Sequence, residues 1–151
     1  MEKESLDMTT QNYANHRQTV PMFHYVLLGL LALTLIGSLV NLFGSFGDHE
    51  RLYNAALIVA LTIAVVVLSF LCRIFALKAQ DRAIRAEENL RHFVLTGKLL
   101  DARLTIRQII GLRFAPDGEF VPLARRAADE NLAPDAIKQA VKNWRPDLYR
   151  V

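Results

Sequence analysis

Formal charge is missing from two long stretches of this 151-residue chain. From Met22 to Phe43, with His24 counted as neutral, and again from Leu52 to Cys72, no side chain is charged for 22 and 21 residues respectively. At about 1.5 Å of rise per residue, each run covers roughly 32 Å, the depth of a hydrocarbon core of about 30 Å. A soluble fold that buried two such helices would need partners of equal hydrophobicity. After residue 73 each segment has at most one apolar face. The chain therefore reads as an all-α membrane protein, a two-helix transmembrane hairpin with spans at about 22–43 and 52–72 and a short outer loop, 44–51.

Glycine and proline are absent from Asp48 to Thr96, a stretch of 49 residues. Nothing there interrupts a helix, so the second span, starting near Leu52, is expected to continue as a long helix over 73–97, with Gly97 as its C-cap. The part beyond Cys72 would add roughly 36 Å. Asp81 with Arg85 and Glu87 with Arg91 are spaced as i,i+4 ion pairs along it. Cysteine occurs once, as Cys72, which excludes a disulfide or a cysteine metal site within one chain. A small apolar residue at the interface explains it more simply than lipidation.

The catalytic signatures are missing too. No phosphate-binding loop, dinucleotide fingerprint, zincin motif or nucleophile elbow occurs, so no enzyme activity and no cofactor are expected. Glu88 and His92 share a helix face, but one such pair lacks the ligands for a metal and reads as a surface ion pair. Ionisable groups are also missing from the centre of both spans, where only Thr34, Ser38 and Thr62 are polar, and such hydroxyls bond back to their own helix. A transport path could then form only in an oligomer.

Lys and Arg set the expected orientation. The outer loop has Arg51 against Asp48 and Glu50, whereas residues 73–151 hold 15 Lys and Arg against 10 Asp and Glu, a net of +5. Arg73, Lys78, Arg82 and Arg85 lie beside the second span, and Arg17 supports the other end. Both termini read as cytoplasmic, in a multi-pass protein. The polar tail, 1–21, is acidic on balance, and Ser38 to Gly47 offers no convincing cleavage site, so the first span is expected to be retained rather than removed as a signal peptide. With a pI near 9.2 the chain permits contact with anionic head groups. Its basic residues alternate with acids instead of forming a stripe, so nucleic acid is not the expected partner.

Three sets of residues are candidates for packing or docking. In the spans, stripes with a four-residue spacing that contain small side chains run through Gly29, Leu33, Gly37 and Asn41 in the first and Ala56, Ala60 and Ala64 in the second, and these stripes are expected to meet. Along the extension, Ala76, Ala79, Ala83, Ala86, Leu90 and Phe93 form a heptad seam open either to a second copy or to the chain's own C-terminal helices. Residues 98–151 read as a small cluster of three short helices. Thr105 with Gln108 is a capping box opening the first; the second starts between Asp117 and Pro122; and the third starts at Pro134 with Ile137, Val141, Trp144 and Leu148 as its docking stripe.

The run A-L-K-A-Q-D-R-A-I-R-A-E-E-N-L-R (76–91), with N-Y-A-N-H (12–16) and I-K-Q-A-V-K-N-W-R-P-D (137–147), resembles an uncharacterised bacterial family of small two-span membrane proteins, catalogued only as a domain of unknown function. The resemblance implies a bacterial cytoplasmic (inner) membrane and no activity. Where similar proteins place a serine before the last helix, this chain has Ala133, which forfeits a side-chain cap. The expected role is a membrane-anchored helical scaffold or adaptor that self-associates or binds a protein partner. The alternative is a small oligomeric transporter or channel accessory subunit.

Overall fold

A computed structural model describes residues 11–16 and 19–147. All regular elements among them are helical: α1 (Met22–Gly44), α2 (His49–Thr96), α3 (Ile106–Leu112), α4 (Asp117–Asp129) and α5 (Pro134–Ala140). The first turns of α1, Met22–Leu27, are π-helical. The chain forms two compact units, one over 19–76 and the other made of 11–16 and 77–147.

In the first unit, α1 and α2 are both long and apolar enough to cross a membrane. Helix α2 starts at His49, three residues before the sequence-based expectation, because Asp48 caps it: its carboxylate accepts from Arg51 N at 3.1 Å. Gly47, at φ +102°, supplies the left-handed residue that the loop requires. Burial falls on one line of each helix, Leu31 and Ser38 of α1 continued by Ser45 just past its end, and Ala55, Val59 and Thr62 of α2, with Leu35, Leu42, Val66 and Ser69 half-buried on the same lines, which marks the faces on which the two helices pack. At the open end of the hairpin, the Arg73 guanidinium lies 5.5 Å from the Phe23 ring centroid.

The expected facing stripes are therefore corrected. Gly29, Leu33, Gly37, Ala56, Ala60 and Ala64 are all exposed, and a Cβ added at Gly29 or Gly37 would meet nothing within 4 Å. The reason is geometric. An i,i+4 stripe drifts around a helix of 3.6 residues per turn, whereas the observed seam alternates steps of three and four and so stays in line with its partner.

In the second unit, α3, α4 and α5 pack with the polar half of α2. Phe114, Phe120, Leu104, Leu112 and Ile137 are fully buried, and Ile84 is the α2 residue in this core. The capping box forms as expected: Thr105 N donates to Gln108 Oε1 at 2.8 Å and Gln108 N to Thr105 Oγ1 at 3.4 Å. Gln108, itself buried, also donates to the Leu132 carbonyl at 2.9 Å and to Asn131 Oδ1, tying α3 to the α4–α5 turn. Asn131 adopts φ +49°, a conformation that asparagine tolerates better than most residues. Helix α2 ends where expected, with Gly97 at φ +73° donating its N–H to the Phe93 carbonyl at 2.7 Å.

Candidate functional site

Arg91 joins α2 to the short helices. Its Nε donates to Asp117 Oδ1 and its Nη2 to the Ala115 carbonyl, both at 2.7 Å, while Nη1 donates to the buried Glu88 at 3.1 Å. The guanidinium lies 4.3 Å from the Phe120 ring centroid, so its planar fork and its flat face are both used. This arrangement corrects two expectations. Arg91 turns to Glu88 and Asp117 rather than to Glu87, and Arg85 donates to the Leu104 carbonyl at 3.1 Å rather than pairing with Asp81. Acceptors from the cluster, at Leu104, Ala115 and Asp117, satisfy these cations better than the i,i+4 carboxylates do.

Glu88 and His92 are not paired with each other either. Glu88 holds Arg91, whereas His92 Nδ1 bonds the Lys98 carbonyl at 2.7 Å and its ring meets Phe120 edge-on. Beside Arg91 opens a cleft of about 560 Å³ lined by Glu87, Glu88, Arg91, Pro116, Asp117 and Arg145. Its central cation is already spent on protein acceptors. Among the described residues no group of three His, Cys, Asp or Glu gathers as metal ligands.

A second contact centre lies at Phe114. The Trp144 ring stands 4.8 Å from it, and His16 from the N-terminal segment closes on both, at 6.0 Å from Phe114 and 5.8 Å from Trp144. Residues 12–16 form a tight turn in which Asn12 Oδ1 accepts from Ala14 N at 2.9 Å and Asn15 N at 3.2 Å, and Tyr13 stacks on His16. Lys138 Nζ approaches His16 Nε2 at 3.2 Å, and Asp147 N donates to Gln11 at 2.8 Å. Residues 12–16, 77–91 and 137–147, nearly all of the three runs quoted above, thus belong to one unit.

The C-terminal docking stripe is corrected in form. Ile137 and Val141 are buried, but α5 stops at Ala140, and Trp144 is half-buried in an irregular segment rather than on a helix. Leu148 lies outside the described residues. Glu119 draws the chain away from the helix by accepting the N–H groups of Lys142 and Asn143 at 2.9 and 3.1 Å, and further on Pro146 disfavours helical geometry at Arg145. The Lys142 N–H donation, followed by those of Asn143, lowers the pKa of Glu119 below its ordinary value. At the other end of α4, Arg103 binds Asp101 and Asp129 and holds Asp101 down at about 2.

The alanine seam is placed as well. Ala76, Ala79, Ala83, Ala86, Leu90 and Phe93 are all exposed, and the chain's own helices take the face of Ile84, Glu88 and Arg91 instead. Sequence reasoning missed Arg91 and Glu119 as hubs, and the only available signal was the excess of charged residues flanking short apolar helices.

Comparison with known proteins matches residues 8–151 to the model of a family described as "Family of unknown function (DUF6526)". No curated protein and no solved structure matches the chain.

Proposed function

We propose, for a chain that belongs to this family of unknown function, the role of a membrane-anchored helical scaffold. The hairpin inserts, and the unit built from the segments that flank it, 11–16 and 77–147, is a docking platform at the cytoplasmic face of a bacterial inner membrane. One observation carries this reading: residues 11–16, before the apolar hairpin, and 77–147, after it, form a single unit. A chain whose flanks fold together enters and leaves a bilayer on the same side. The exposed apolar side chains of the hairpin, among them Leu30, Leu33, Ile36, Val40 and Phe43, suit lipid contact. The polar unit holds an ion-paired clamp and an aromatic cradle, which bind and position rather than react.

The hydroxyls of the spans favour an anchor over a transport path. Thr34, Ser38, Thr62 and Ser69 each bond a carbonyl of their own helix, at 2.8 to 2.9 Å. Co-purification of the full chain from native membranes tests the scaffold, and a stoichiometric protein partner is the expected result. Ion conductance by the purified protein in liposomes, without such a partner, would replace the scaffold with a channel subunit.

A further inference from the structure

The face of α2 opposite its packed side is uncovered, and it is built like half of a coiled coil. With about 100° of rotation per residue, Ala79, Ala83, Ala86, Leu90 and Phe93 fall on the side away from Ile84, Glu88 and Arg91. Leu90 and Phe93 are 63% and 51% exposed, and Val94 beside them 75%. Outside a membrane span, so many adjacent exposed apolar side chains mark a contact surface.

We propose that this seam pairs in parallel with the same seam of a second copy. The inference rests on the scaffold reading, whose self-associating surface it names. Charge complementarity selects the partner and its direction. With alternating seam positions assigned as a (Ala83, Leu90) and d (Ala86, Phe93), Arg82 occupies a g position and Glu87 the e position five residues later. A parallel pair places Arg82 of each copy beside Glu87 of the other, forming two symmetric ion pairs, whereas an antiparallel pair sets like positions and like charges together. Neither residue has a side-chain hydrogen bond or ion pair of its own among the described residues, and both are exposed.

The composition of the seam explains how the two halves contribute. Alanines let the backbones approach closely but bury little, so Leu90, Phe93 and Val94 supply most of the apolar area. Anchoring in one membrane raises the effective concentration of the copies and favours so small an interface.

The test uses the full chain in native membranes, with Cys72→Ser to remove the native thiol. Ala83→Cys and Ala86→Cys should each give a disulfide-linked dimer on mild oxidation, since close parallel packing brings identical positions within bridging distance. Lys78→Cys, off the seam, should cross-link at least roughly ten-fold more slowly. Arg82→Glu or Glu87→Arg alone should lower the Ala86→Cys cross-linking rate roughly ten-fold, and the double reversal should restore it. Monomer at both alanine positions, with residues 98–147 still resistant to trypsin, overturns the pairing. So does a photo-crosslinker at Phe93 that labels a different protein, and in that case the scaffold reading survives. Failure of that reading is registered separately, by conductance without a partner.

Discussion

Arg91 shows how much one side chain can organise when every donor is used. Its removal leaves Glu88 buried without its cation and the Ala115 carbonyl without a donor. Arg91→Ala should therefore cost about 3 kcal/mol and expose residues 98–147 to trypsin, while Arg91→Lys, lacking the planar fork, should recover less than half of the loss. Glu119 makes the pH-dependent counterpart. A carboxylate whose folded pKa is depressed stabilises the fold above its unfolded value, and that contribution is lost as pH falls through the folded value. Acidification from the ordinary value of 4.5 down through the lowered folded value should thus progressively release the segment around Lys142 and Asn143. Trp144, the only tryptophan, lies next to it and reports the release as a red shift in emission. Glu119→Gln should show part of that shift at neutral pH and a smaller response to acid. An unshifted spectrum in both proteins would remove Glu119 as the clasp.

At the scale of the element, the hairpin and α5 differ from the simplest reading for separate reasons. Small residues at i,i+4 in an apolar helix suggest close packing, yet many such residues face outward, and burial is set by the line that two straight helices can share. Ala55 lies on that line at 1% exposure and Ala60 does not. Ala55→Leu should wedge the hairpin apart and cost about 1 to 3 kcal/mol, read as lower resistance to denaturation in detergent, whereas Ala60→Leu should change little. Equal effects would place the seam elsewhere. Helix α5 was legible at its start, where Pro134 and Asp135 are local signals, but not at its end. The acceptor that competes for its next N–H groups is Glu119, 23 residues away in sequence.

For the whole molecule, the unit shared by residues 11–16 and 77–147 predicts topology. In a Cys72→Ser background, His49→Cys should react with an impermeant thiol reagent in intact spheroplasts and Lys98→Cys should not. Both positions are exposed, so protection at Lys98 would report the membrane rather than packing. The reverse pattern would invert the orientation, and labelling at neither site would remove the outer loop. The sequence by itself determined the all-helical class, the two apolar runs, the uninterrupted α2, the Gly97 stop and the Thr105 capping box, because each depends on neighbours within a few residues or on the composition of one run. Only the tertiary structure decided which faces pair, where Arg91 and Glu119 turn, and that Asn12 to His16 closes on Trp144. Those contacts join groups from 23 to more than 120 residues apart, and each is selected by competition among several acceptors or apolar faces that local pattern leaves equivalent.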